Sequence, residues 1–199
     1  VDSLAAPGEK TPLFLAIPPP PRLLARLPAL LDELKADTWS LRPVEPEDFH
    51  LTLHFLGATP ARLVDDLRRE IGALCHARRA FDLEAGGLGC FPDDLNPRVV
   101  WLGFRDRSGG LEELFRASRR ILMAYRLFEL PAEMVPHLTL ARVEGLSAAW
   151  DPRLLRGLAP QWSDLGVFPV EEVRLMRRRP AGAAGPRYET LAGLGMGGQ

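Results

Sequence analysis

Lysine is nearly absent from this sequence. Of 25 basic residues only Lys10 and Lys35 are lysines, and the others are arginines. Positive charge is not in excess either, because 26 acidic residues bring the formal net charge to -1. That excludes the global basic field that draws proteins onto duplex nucleic acid without regard to sequence, so any nucleic-acid contact has to come from a local patch. The charge that is present sits on planar guanidinium forks suited to holding phosphate. Cysteine is also scarce. Cys75 and Cys90 are too few for a disulfide scaffold and form no CxxC pair, so both are expected to be reduced and in or near a core. No apolar run approaches the ~20 residues that cross a bilayer. Residues 1–10 lack a basic stretch followed by an apolar one, so no secretory signal is expected and a cytoplasmic location is. What is left, with 199 residues and 46% hydrophobic content, is a globular protein able to bury a sizeable core.

The apolar periodicity predicts an alternation of strands and helices. Leu13 to Ile17 is a short apolar run stopped by four prolines, and reads as a buried strand entering a helix. Leucines at helical spacing predict a helix over Arg22–Lys35, and a second amphipathic helix over Pro60–Ala77. Strands are expected at His50–Leu56, at Phe81–Glu84 before a Gly86-Gly87 turn, and at Arg98–Phe104. A helix over Leu111–Tyr125 follows, then strands at His137–Val143, Val170–Arg177 and Arg187–Leu191. The loop 180–186 contains no core-forming residue. Residues 1–11 and 194–199 read as flexible termini around a single unit spanning 12–193. Each half holds a strand-helix-strand unit, which points to an α+β fold of two similar lobes rather than a parallel doubly wound sheet.

The informative feature is a repeat. His50-Leu51-Thr52-Leu53 and His137-Leu138-Thr139-Leu140 are the same tetrapeptide in two expected strands. Alternate side chains of a strand share a face, so each histidine lies beside its threonine and the leucines turn the other way into the core. A duplicated structural unit accounts for the leucines. It does not account for keeping both histidines in a chain that has only four. Two imidazoles across a cleft can divide acid and base roles near neutral pH. Hydrolysis of a cyclic phosphodiester needs such a pair on opposite sides of phosphorus, because attack is in line with departure. A threonine hydroxyl on the same face can donate to a non-bridging oxygen and stabilise the charge that builds there. That chemistry does not demand a metal, and none is expected, nor any other cofactor.

These residues and their flanks resemble the two-histidine phosphoesterase superfamily. Within it, the chain is similar to the bacterial and archaeal RNA 2',3'-cyclic phosphodiesterases, historically called 2'-5' RNA ligases. The resemblance runs from about Leu13 to Leu191. It includes Phe14-Leu15-Ala16-Ile17, Asp48 through Gly57, Arg98 through Gly103, Pro136 through Arg142, and Arg187 through Leu191. It implies a bilobal α+β fold, with two antiparallel sheets flanking a central cleft and helices outside. It implies hydrolysis of terminal 2',3'-cyclic phosphates to 2'-phosphates, and a slow ATP-independent joining of RNA ends through 2'-5' linkages. It maps the catalytic histidines onto His50 and His137, the motif threonines onto Thr52 and Thr139, and a following arginine onto Arg142. By analogy His50 is assigned as the acid and His137 as the base. RNA ends are then the expected partner, and a monomer the expected state. One departure is Pro12, where many relatives carry a basic residue.

Other candidates carry less specific signals. Arg142 lies five residues after His137, so an unbroken strand would turn it away from the cleft, and a phosphate contact requires a bulge. His54 shares the face of His50 and Thr52 if the strand is regular, which makes it a candidate substrate contact at the cleft edge. Its counterpart in the second motif is Ala141. His50 and His54 have the spacing of zinc ligands on a helix, but the alternation reads as strand and no glutamate follows His50. Phe14 is a candidate platform for a terminal base, as are Phe49 and Trp39, each of which also fits a core. His76 reads as a cap or surface residue. Arg177-Arg178-Arg179 is the densest basic run, either a solvated strand end or a guide for an RNA tail. Two alternatives stay open: a phosphodiesterase for a small nucleotide such as ADP-ribose cyclic phosphate, and a non-catalytic RNA-end binding protein.

Overall fold

The computed structural model describes residues 10–127, 133–180 and 182–198. Strand β1 (Lys10–Ile17) leads through Pro18-Pro19-Pro20 into two short helices, α1 (Pro21–Leu24) and α2 (Leu27–Glu33). The sequence periodicity predicts one helix here. Pro28 breaks it, because its ring crowds the carbonyl of Leu24 and it has no N–H to donate there. Next come β2 (Trp39–Pro43), a 3-10 turn at Pro46–Asp48, β3 (Leu51–Pro60) and α3 (Val64–His76). Then follow β4 (Phe81–Phe91), β5 (Val99–Arg105), α4 (Gly110–Ala124) and β6 (His137–Leu146). The chain ends with α5 (Arg153–Leu158), β7 (Gly166–Val170), β8 (Glu172–Arg178) and β9 (Tyr188–Gly195). No helix of the described residues is long and apolar enough to cross a membrane.

All strand pairs are antiparallel, and the order is β7-β4-β5-β6-β3-β1-β8-β9, with β2 also on β6. The sheet consists of a five-stranded arm, β7-β4-β5-β6 with β2, and a four-stranded arm, β3-β1-β8-β9, joined by a single residue pair, Leu51 opposite Leu138. Those leucines are the second residues of the two tetrapeptides. The seam between the lobes therefore runs between the motif strands. The arms are not the two halves of the chain, since β8 and β9 return to pair beside β1.

One apolar face of each arm packs on helices. Leu67, Ile71 and Cys75 of α3 and Leu111, Leu114 and Leu122 of α4 are all at most 1% exposed, at the helical spacing that puts them on one side. Asp106 starts α4: its carboxylate accepts the backbone N–H groups of Ser108, Gly109, Leu111 and Glu112. Strand β1 is buried on both faces. Leu13, Leu15 and Ile17 enter the main core, while Phe14 and Ala16 join Met176 and Tyr188 in a small apolar layer on the other side.

Three expectations are corrected here. Gly86-Gly87 does not end a strand; β4 continues through both to Phe91 with a bulge between Ala85 and Leu88. Gly87 has φ +84, and a Cβ on Gly86 would lie 2.0 Å from the Ser163 carbonyl oxygen, so the pair permits a kink and a close approach where other residues would clash. The expected strand from Val170 to Arg177 is the end of β7 and most of β8, broken at Glu171. The end of the chain is not a free tail. Leu194 is 6% exposed, and Gly197 donates its N–H to the carbonyls of Cys75 and Arg78 at the end of α3. Lys10 and Thr11 likewise already belong to β1, while residues 1–9 and 199 of the expected flexible termini lie outside the described residues.

Candidate active site

The register at the seam places the motif residues. With Leu51 opposite Leu138 and both leucines buried, His50, Thr52, His137 and Thr139 all turn to the opposite face. Antiparallel pairing sets His50 towards Thr139 and Thr52 towards His137. The four line one cleft of about 480 Å³. Among the described residues neither threonine hydroxyl has a hydrogen-bond partner in the protein.

Each histidine is held by the same backbone device. His50 Nδ1 lies 2.7 Å from the Asp48 carbonyl oxygen, and His137 Nδ1 lies 2.7 Å from that of Val135. A carbonyl only accepts, so Nδ1 carries the proton in both rings and Nε2 is left for the cleft. The rings then meet different neighbours. His50 sits between Phe14 and Tyr188, at ring-centroid distances of 4.9 and 5.0 Å. Burial there pushes its pKa below the usual 6.5. The hydrogen bond to the Asp48 carbonyl and the Asp48 charge oppose that, and the His137 charge adds to it. His137 meets Phe91 edge-on at 4.9 Å and Trp101 at 6.1 Å.

Two bulges decide what else faces the cleft. In β3, Thr52 pairs with Ala16 and His54 pairs with Leu15, so Leu53 is an extra residue. In β6, Thr139 pairs with Trp101 and Ala141 with Val100, so Leu140 is extra. An extra residue reverses the facing of everything beyond it. Arg142 is thereby turned into the cleft, and Phe55 occupies the matching place in the other arm, 62% exposed.

The same reversal corrects the expectation for His54. It is 1% exposed and points away from the cleft, stacked on Phe115 at 4.5 Å with Nε2 near the Phe115 carbonyl and the Ser118 hydroxyl. Burial pushes its pKa down to about 4. Phe14 is corrected as well. It lines the cleft floor but is only 3% exposed, wedged against His50 and Tyr188, so it braces the imidazole instead of offering a face to a base. Phe49 and Trp39 are core residues.

Apart from Arg178, part of the basic run read as a strand end or an RNA guide, sequence reasoning assigned no individual role to several residues that the structure brings here. Asp48, 7% exposed, accepts the backbone N–H groups of Arg187 (3.4 Å) and Tyr188 (3.2 Å), which ties the turn before His50 to the start of β9. Tyr188, Phe55, Arg42, Arg178 and Arg187 also line the cleft. Only Asp48 had a local signal, its place two residues before His50. The rest arrive through non-local pairing. Among the described residues no group of three His, Cys, Asp or Glu side chains is placed to hold a metal ion.

Two histidine-threonine strands facing one arginine-fringed cleft across an inter-lobe seam define a phosphoesterase of the two-histidine type. Known proteins agree. The RNA 2',3'-cyclic phosphodiesterase of Aeropyrum pernix is 31% identical over 170 residues, 85% of this chain and 94% of the relative. The chain belongs to the LigT-like phosphoesterase family, whose sequence profile matches residues 17–101. The RNA 2',3'-cyclic phosphodiesterase of Thermus thermophilus is also 31% identical, over 79% of this chain and 77% of its own length. Among solved structures, TT0787 of Thermus thermophilus superposes with a TM-score of 0.75 at 27% identity. E. coli LigT complexed with 3'-AMP superposes with a TM-score of 0.74 at 26% identity. Both alignments cover 94% of this chain and 99% of the other.

Proposed function

We propose that this enzyme hydrolyses the terminal 2',3'-cyclic phosphate of RNA to a 2'-phosphate, using His50 and His137 as the acid-base pair. The observation that carries the reading is the matched pair of Nδ1–H···O=C bonds, which leaves two Nε2 atoms for one cleft. His137 takes a proton from water as its oxygen bonds to phosphorus. The bond from phosphorus to the 3' oxygen breaks, and His50 supplies that oxygen with a proton. Thr52 and Thr139 donate to the non-bridging oxygens, and Arg142 offsets the phosphoryl charge. Burial makes the His50 imidazolium a stronger acid than free imidazolium, and the anionic substrate favours its protonated form. An RNA 5'-hydroxyl in place of water would give a 2'-5' linkage by the same proton transfers, with ring opening in place of ATP hydrolysis. One chain supplies both histidines, so a monomer suffices.

The test is turnover of a nucleoside 2',3'-cyclic phosphate in the presence of EDTA, with the product isomer identified. A 2'-phosphate formed at an undiminished rate is expected. A 3'-phosphate product would reverse the assignment of the leaving oxygen. Loss of activity with recovery on zinc or manganese would overturn the metal-free mechanism.

A further inference from the structure

The basic run at the end of β8 is not absorbed by the chemistry above. Its first member, Arg177, is paired with Glu189 across the hairpin at 2.9 Å. Arg178 and Arg179, and Arg187 on the returning strand, have no carboxylate within ion-pair distance among the described residues. They are nevertheless held close together. Arg178 pairs with Tyr188 in the ladder, and the Arg179 N–H donates to the Arg187 carbonyl at 2.9 Å. Packing places two of the three side chains. The Arg187 guanidinium lies over the Tyr188 ring, 5.8 Å from its centroid, and an Arg179 terminal nitrogen lies against Gly185. Arg179 is half-buried. Three clustered cations without acidic partners repel one another, and an anionic ligand relieves that repulsion.

The place of the cluster says which anion. Arg178 and Arg187 line both the catalytic cleft and an adjoining depression of about 670 Å³, and Arg179 lines the depression alone. The two hollows also share Glu45 and Asp48 in their lining. The facing wall carries Glu45, Glu47 and Asp48, of which Asp48 is engaged by backbone N–H groups. Glu45 and Glu47 disfavour an anion on that wall and so confine it to the hairpin side.

Resting on the functional reading above, we propose that Arg178, Arg179 and Arg187 form a second phosphate subsite, which binds the phosphodiester preceding the terminal cyclic phosphate. The substrate then enters along the β8–β9 hairpin, and a dinucleotide is the smallest substrate that fills the site. Single-stranded RNA contacts of this kind are electrostatic and salt-dependent.

The experiment compares kcat/KM for a mononucleoside 2',3'-cyclic phosphate, the same nucleoside carrying a 5'-diphosphate, and a dinucleotide with the same cyclic end. Wild-type protein and Arg179→Gln are measured, with Arg179→Lys as a charge-retaining control. The dinucleotide is expected to exceed the mononucleoside about tenfold or more. Arg179→Gln should remove most of that gain, Arg179→Lys should restore part of it, and mononucleoside turnover should stay within about twofold. The log–log salt slope for the dinucleotide should exceed that for the mononucleoside by about 0.7, the worth of one single-strand phosphate contact. No dinucleotide preference, or a preference indifferent to Arg179→Gln, overturns the subsite. An equal gain from the 5'-diphosphate overturns the RNA assignment in favour of a small nucleotide. Failure of the underlying reading looks different, because wild-type protein then turns over none of the three. Equilibrium binding of the 2'-phosphate-ended dinucleotide against the mononucleotide then decides the subsite without turnover.

Discussion

The arm that carries His50 and the arm that carries His137 use one backbone device with different surroundings. In both, the tetrapeptide histidine gives its Nδ1 proton to the carbonyl two residues back, and a bulge follows the threonine. In both, the fifth residue after the histidine comes round to the cleft: Phe55 in one arm, Arg142 in the other. The residue before it is buried, as His54 or as Ala141. His50 is braced by Phe14 and Tyr188 and its proton affinity is lowered, whereas His137 is flanked by Phe91 and Trp101. Quasi-symmetry gives both histidines the same backbone anchoring, and the departures from it give their rings different surroundings, on which the proposed division into acid and base rests.

The largest effects should come where the arms are alike. His50→Ala and His137→Ala are each expected to lower turnover about 10²–10⁴-fold, with the double variant losing less than the product because the pair acts as a unit. Near wild-type turnover in either single variant would exclude that residue from the chemistry. Thr52→Val and Thr139→Val keep shape and strand propensity but remove the donor. Each should cost about 2.7–4 kcal/mol of transition-state stabilisation, seen in kcat more than KM, with the melting temperature unchanged. If instead stability falls and kcat holds, the threonines are structural.

Where the arms differ, the expected effects are smaller and unequal. His54 has no titratable counterpart, since Ala141 takes its place. Its folded pKa of about 4 lies below the ordinary 6.5, so the unfolded chain binds more protons between those values. Stability contributed by the neutral form is full above about pH 6.5 and is lost as pH falls towards 4, by roughly 3 kcal/mol in all. Denaturant melts of wild type and His54→Ala across that window should show the slope much reduced in the variant; parallel slopes would contradict the burial argument. Arg142→Gln should lower kcat/KM by roughly 1.5–3 kcal/mol, the range for a hydrogen bond to a charged group. Phe55→Leu should cost less, because it carries no charge to the phosphoryl group. An equal loss from both would erase the distinction drawn between the two positions. Last, the alkaline limb of kcat/KM, where His50 loses the proton it must donate, should lie below the usual histidine value. Tyr188→Ala, which opens His50 to water, should move that limb upward; an unmoved limb would mean that Tyr188 does not set the His50 environment.

Local pattern alone was enough for much of this protein. The leucines of α2, α3 and α4 announce their helices because a 3.6-residue period must face one core. The repeated His-x-Thr strands name the four central residues, because a two-residue period puts them on one face while the leucines hold the strand down. Reading stopped where the outcome depends on what lies across the sheet. The extra residues Leu53 and Leu140 look like ordinary strand leucines, and only pairing against β1 and β5 makes them bulges. Those bulges sent His54 into the core and brought Arg142 and Phe55 into the cleft. The return of β8 and β9 to the edge of β1 brought Tyr188 and the hairpin arginines to the site, and no periodicity encodes which strand a distant segment joins. Facing within a strand is a property of consecutive residues, so the sequence determined it. Register and strand order are properties of pairs far apart in the chain, so they were decided only when the tertiary structure formed.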